Sequence, residues 1–332
     1  MTQLAIVGAG AWGTALAAHA ARAGHEVRLL GRRRDFVERL RETRRHPALK
    51  GAPPIPERVT VTSDAAEALS GAAAVLWSVS VQATAGELAR LKDRIPPVPL
   101  VATSKGIEIG THRRTTEIMT FVTGRTKGLA ALSGPTFAAE VARSLPAAAV
   151  VASSEPDVSR FLQGLLSSPT LRLYRSRDVL GVEVAGAAKN VIAIAAGILD
   201  GLELGHNTRA AMLTRALAEI RRLGTQLGGV PETFYGLAGA GDLILTATGD
   251  LSRNRRVGLA LATGRTLPEA VETLAGEVAE GVATAPALLE LAAGAGVEMP
   301  ISETVRGILA GETAPTDAIR RLMTRALKEE KV

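Results

Sequence analysis

Short β-branched runs alternate with helical stretches through the first half of the chain, while the second half carries no strand signal at all. The alternation predicts strands at residues 4–7, 27–30, 59–62, 74–79, 100–103, 129–133, 147–152 and 171–174, joined by helices into a parallel α/β sheet. Pro53, Pro54 and Pro56 punctuate the loop before the third strand, and Pro96, Pro97 and Pro99 the loop before the fifth. From about Gly181 long helical stretches rich in Ala and Leu take over, which puts a boundary near Asp178. The expected domains are residues 1–178, α/β, and 179–332, all-helical. Residues 182–199 are almost wholly apolar but include Glu183, Lys189 and Asn190, which favours a buried core helix over a membrane span.

Composition narrows the class. Hydrophobic residues make up 46% and charged residues 22%, a globular balance that argues against disorder. The chain has no cysteine, so neither a disulfide framework nor thiolate chemistry is available. Met1-Thr2-Gln3 runs straight into the first strand with no basic region and long apolar stretch, the pattern expected of a cytoplasmic protein without a signal peptide. The net charge of +6 is compatible with nucleic acid, but aromatic residues are only 3% and no nucleic-acid module is present. Small anionic ligands are a second reading, since they need a few focused cations rather than a basic face, and a chance excess of surface arginine over acid is a third. His19, His25, His46, His112 and His206 show no metal-ligand spacing, and His206 reads as a loop residue.

Gly8-Ala9-Gly10-Ala11-Trp12-Gly13 follows the first strand and opens a helix expected at residues 14–23. In that context the glycine spacing is a dinucleotide fingerprint. Gly8 serves the tight turn, Gly10 admits the pyrophosphate, and Gly13 allows close helix–sheet contact. At the end of the second strand an acid would bind the ribose 2′-hydroxyl of NAD, whereas Arg would accommodate the 2′-phosphate of NADP. Here Gly31 is followed by Arg32, Arg33 and Arg34, and Asp35 comes late, which favours NADP(H) while leaving NAD(H) possible.

Lys189 lies inside a helix that is apolar on every face. A lysine there is either an acid/base group whose pKa burial lowers, or half of a structural ion pair, and residue type alone does not choose. The surrounding motifs do. GAGAWGTALA at 8–17, SKGIE at 104–108, LSGPTFAAEVARSLP at 132–146, AKNVIAIAAGILDG at 188–201, GLAGAGDLILT at 236–246 and SRNRR at 252–256 closely resemble the bacterial NAD(P)-dependent glycerol-3-phosphate dehydrogenases, in the family's order and across both halves. Glu280-Gly281-Val282 adds to the resemblance.

The resemblance implies a Rossmann-type nucleotide-binding domain followed by an all-α C-terminal domain, and reduction of dihydroxyacetone phosphate to sn-glycerol 3-phosphate. It implies Lys189 as proton donor, with Asp242 and Thr246 near the reacting carbon and Lys105 contacting substrate and cofactor. Gly134 and Thr136 match a substrate-binding turn, and Ser252, Arg253 and Asn254 match a pocket for the substrate phosphate. Ala11, Trp12, Ala138, Arg253, Val278 and Glu280 match cofactor-side positions. No metal is implied, and a homodimer without membrane insertion is. Seen in isolation, residues 252–256 read as a solvated charged loop. The sequence departs from the family at Trp77-Ser78-Val79-Ser80-Val81, which lacks the usual proline, and at Ala247, where many relatives have Cys. The competing readings are another NADP-dependent hydroxy acid dehydrogenase of the same plan and a non-catalytic NADP sensor.

Overall fold

Eight strands form one sheet: β1 (Gln3–Val7), β2 (Glu26–Leu30), β3 (Val59–Thr62), β4 (Ala74–Trp77), β5 (Leu100–Ala102), β6 (Leu129–Ser133), β7 (Ala147–Ala152) and β8 (Leu171–Ser176). The computed structural model describes residues 2–324 and residue 329. Two compact units result: the first runs through Lys105 and includes Arg113–Val182, and the second comprises Gly106–His112 and the chain from Glu183 onward.

The strand order is β3-β2-β1-β4-β5-β6-β7-β8, with the direction of winding reversing between β1 and β4. Leu4, Ala5, Ile6 and Val7 are all buried, as an unbroken apolar strand requires when helices cover both faces. The expectation of a parallel sheet holds except at one pairing. β7 runs antiparallel to β6, pairing Ala131 with Ala152 and Ser133 with Val150. The connection between them holds a helix of only five residues, Ala138–Ala142. The chain turns back beside β6 rather than crossing over the sheet. β8 then lies parallel to β7 at the sheet edge, and its exposed Arg172, Tyr174 and Arg175 reflect that edge.

Element ends also moved. β4 stops at Trp77, two residues before the expected end, because Ser80 becomes the N-cap of the helix Val81–Leu91. β8 runs two residues past Tyr174. The helix after the glycine motif is Ala11–Arg22 rather than 14–23, since Gly10 is already its N-cap.

The second unit is helical. The helix Val179–Gly201, most of which belongs to it, has its apolar stretch fully buried, as a core helix should. His206 lies in the first turn of the helix Gly205–Gln226, not in a loop. The charged residues 252–256 are likewise helical: Ser252 caps the helix Arg253–Ala262, its hydroxyl accepting from the Arg255 amide at 3.2 Å. A buried cap pre-empts the loop that five polar residues suggest.

Candidate active site

In the first unit, the turn after β1 is set by three glycines with three different jobs. Gly8 has φ of +110°, and a Cβ there would lie 2.7 Å from the Ser78 carbonyl oxygen. A Cβ on Gly13 would lie 2.0 Å from the Gly8 carbonyl oxygen, so the helix can start this close to the strand only with glycine. At Gly10, by contrast, a Cβ would meet nothing within 4 Å. As N-cap, Gly10 offers no side-chain oxygen to the first amides of the helix that Ala11, Trp12 and Gly13 begin. Those amides and the positive end of the helix dipole form a cradle for a diphosphate. The residues present therefore fit a dinucleotide.

Arg32 and Arg33 follow β2 and are exposed. Arg33 is the N-cap of the helix Arg34–Thr43, and its guanidinium carbon lies 5.3 Å from the Phe36 ring centroid. Further along the sheet, Lys105 and Thr136 converge on one acceptor. The Lys105 ammonium donates to the Gly134 carbonyl at 3.0 Å, and the Thr136 hydroxyl donates to the same oxygen at 3.1 Å. Gly134 has φ of +149° and presses on β7, where a Cβ would lie 2.7 Å from Ala149 Cα. Ala138 opens the short helix that follows.

In the second unit, Lys189 is buried in Val179–Gly201. Its ammonium donates to Thr246 Oγ1 at 2.7 Å and lies 3.1 Å from Asp242 Oδ1. Thr246 Oγ1 in turn donates to Asp242 Oδ1 at 3.2 Å. Asp242 and Thr246 stand four residues apart, one turn along the helix Asp242–Thr248, so their side chains share a face. The glycine-rich segment Leu237–Gly241 makes a π-helical turn just before it. All three side chains are buried. A buried ammonium next to a carboxylate is a charge-assisted pair.

The next residue on the lysine helix, Asn190, was not singled out from the sequence. Its side-chain oxygen accepts from Asn254 Nδ2 at 3.0 Å, and Asn254 Oδ1 accepts from the Gly281 amide at 2.9 Å. This chain joins three helices: Val179–Gly201, Arg253–Ala262 and Glu280–Gly294. Its one sequence signal was a second polar residue beside Lys189 in an apolar run. Ser252 and Asn254 are buried and Arg253 partly so. Burial pushes the Glu280 carboxyl up to about 7, an effect that the nearby Arg253 charge opposes. Val278 is exposed, just ahead of that helix.

A dinucleotide-binding sheet and a helical unit that buries a lysine against a carboxylate and a hydroxyl define an NAD(P)-linked dehydrogenase. Comparison with known proteins specifies which. The NAD-dependent glycerol-3-phosphate dehydrogenase N-terminus matches residues 3–159, and the C-terminus of the same family matches residues 178–320. The chain belongs to this family. It is similar to the glycerol-3-phosphate dehydrogenase [NAD(P)+] of Koribacter versatilis (strain Ellin345), with 48% identity covering 98% of each chain. The enzyme of the same name from Aromatoleum aromaticum is 46% identical, covering 99% of this chain and 100% of the relative. Among solved structures, the glycerol-3-phosphate dehydrogenase of Coxiella burnetii superposes with a TM-score of 0.91 at 38% identity, covering 98% of this chain and 99% of that one.

Proposed function

We propose that this chain reduces dihydroxyacetone phosphate to sn-glycerol 3-phosphate, reversibly, with Lys189 donating the proton to the substrate carbonyl oxygen. The observation that carries the assignment is the buried Lys189–Thr246–Asp242 arrangement, in a chain of this family. The bound nicotinamide supplies the hydride, and the protein supplies orientation and the proton. Asp242 keeps a negative charge beside the ammonium, and Thr246 fixes its direction. As hydride reaches the carbonyl carbon, charge grows on the oxygen, and proton transfer from Lys189 Nζ neutralises it.

Gly8, Gly10, Ala11, Trp12 and Gly13 hold the pyrophosphate, and Arg32 and Arg33 favour the 2′-phosphate of NADP(H), with NAD(H) also accepted. Ala138, Arg253, Val278 and Glu280 serve the cofactor further along. Lys105, Gly134 and Thr136 hold the substrate, and Ser252, Arg253 and Asn254 bind its phosphate. The planar arginine fork suits a tetrahedral anion, and hydroxyl and amide add donors. We place the domain boundary near residue 178, with the glycine turn, Arg32 and Arg33 on the first side and Lys189, Asp242 and Thr246 on the second.

The family resemblance supports a cytoplasmic homodimer that supplies the glycerol phosphate of glycerophospholipids. Light scattering coupled to gel filtration tests the dimer. The decisive assay follows NADPH oxidation with dihydroxyacetone phosphate against a panel of keto acids. Turnover of the phosphorylated ketone supports the assignment, preference for a keto acid favours a hydroxy acid dehydrogenase, and cofactor binding without turnover would leave a sensor.

A further inference from the structure

Asp200 is the next-to-last residue of Val179–Gly201, where the helix dipole already places partial negative charge. A carboxylate there is unfavourable unless cations meet it. Two do, both largely buried. Arg255 Nε and Nη2 reach Asp200 Oδ2 at 2.8 Å and 2.7 Å, and Arg209 Nη1 reaches Oδ1 at 2.9 Å. Arg255 extends its remaining nitrogen, Nη1, to the exposed Asp250 at 2.9 Å.

The same arginine is tied down through its backbone. Its amide donates to Ser252 Oγ. Its carbonyl abuts Gly197 so closely that a Cβ there would lie 2.0 Å away. Gly258 meets the Ile194 carbonyl in the same way, at 2.1 Å. The helices carrying Lys189 and Arg253 thus touch backbone to backbone, and the Asp200–Arg255 pair sits on that seam. One residue along from Arg255 is Asn254, and two along is Arg253.

We infer that Asp200 and Arg255 are positioning residues for the substrate phosphate: they lock the first turn of Arg253–Ala262 to the end of the lysine helix, so that Ser252, Arg253 and Asn254 meet the anion in fixed register with the proton donor. Arg255, its charge met by two carboxylates, binds no substrate itself. Acids at Asp200 and Asp250 keep it turned away, and Arg253 alone of this pair addresses the phosphate. The inference rests on the reading of Ser252–Asn254 as the phosphate pocket given above.

The test compares Asp200→Asn, Arg255→Met and the milder Asp200→Glu and Arg255→Lys, each as the full-length enzyme. Dihydroxyacetone phosphate and unphosphorylated dihydroxyacetone are assayed side by side, together with thermal melting and NADPH affinity. A loosened phosphate contact predicts a KM for dihydroxyacetone phosphate raised about tenfold in Asp200→Asn and Arg255→Met. The kcat should hold within about threefold, and kcat/KM for dihydroxyacetone and NADPH affinity within about twofold. Asp200→Glu, which keeps the charge, should recover most of the loss. Lower melting temperature with unchanged KM assigns the pair to stability alone and overturns the inference, as do equal losses on both ketones. Should Asp200→Asn or Arg255→Met fail to fold, the KM shift is read from Arg255→Lys, and its absence there overturns the inference. A wild-type enzyme that does not prefer the phosphorylated ketone defeats the pocket reading, and the inference with it. Wild-type preference left intact by all four variants defeats the inference alone.

Discussion

Lys189 and Asp242 face each other across 3.1 Å, on helices more than fifty residues apart in sequence, and both are buried. Burial makes the pair matter in two ways at once: it strengthens the coupling between ammonium and carboxylate, and it makes either charge costly alone. Substitution here should therefore touch both chemistry and stability, which different measurements read.

The chemical consequence is tested with Lys189→Met. Removing a general acid typically costs about 10²–10⁴-fold in turnover. The glycine turn proposed to hold the cofactor pyrophosphate is a separate element, so NADPH binding should hardly change. Stopped-flow measurement of turnover beside fluorescence titration with NADPH checks both halves. A folded variant with near-normal turnover would remove Lys189 from the mechanism.

Stability is tested with a double-mutant cycle. Asp242→Asn leaves the ammonium uncompensated, and Lys189→Met does the same to the carboxylate. Each single change should destabilise by about 3–5 kcal/mol. The double variant should be more stable than the sum of the two losses, because neither charge remains. Urea unfolding of all four proteins gives the coupling, and additive losses would show that the pair contributes none.

Much of this was legible in the sequence, and the exceptions have physical reasons. The strands of the first half announce themselves because a sheet covered on both faces needs continuous apolar runs such as 4–7 and 74–77. The lysine stood out because a charge deep in an apolar helix needs a partner or a task. Strand direction was less accessible: residues 129–133 and 147–152 look alike whichever way they pair, and β7 proves antiparallel. Residues 252–256 read as a solvated loop only in isolation; Ser252 is a helix cap, a signal that five consecutive polar residues obscure. The roles of Asn190, Asp200 and Arg255 are not legible in the sequence for another reason. The contacts Asn190–Asn254 and Asp200–Arg255 join residues 64 and 55 positions apart, and no local periodicity encodes such a contact.

Arg253→Ala should weaken phosphate recognition. A lost charge-assisted bond is worth about 1.5–3 kcal/mol, or roughly a ten- to hundredfold rise in KM for dihydroxyacetone phosphate. Unphosphorylated dihydroxyacetone should feel it far less. Because Arg253 is also assigned a cofactor contact, NADPH affinity is measured alongside. Equal losses on both ketones would argue against the phosphate role.

Replacing Arg32 and Arg33 together by Ala should lower affinity for NADPH and spare NADH. Both cofactors share the pyrophosphate, which the glycine turn is proposed to hold, and only NADPH carries the 2′-phosphate. Both arginines are exposed, so salt screens them and the penalty should shrink at high ionic strength. Dissociation constants for both cofactors at low and high salt decide the matter: an unchanged NADPH-to-NADH ratio would release the two arginines from any part in cofactor choice.

Glu280 supplies a pH test of the helical unit. Burial raises its carboxyl from the ordinary 4.5 to about 7, despite the opposing charge of Arg253. A group whose folded pKa lies above its unfolded value favours the folded state in its protonated form. Its contribution is thus fully present below about pH 4.5 and is lost as pH climbs through 7. Glu280→Gln cannot ionise and should lack this loss. The stability of the wild type relative to Glu280→Gln should therefore fall between pH 5 and pH 8, by about 3 kcal/mol at most. Comparing the two proteins cancels every other titrating group that the substitution leaves undisturbed. Denaturant melts at closely spaced pH values provide the measurement. Parallel curves for the two proteins would place the Glu280 carboxylate in a solvated setting and remove the pH dependence assigned to it.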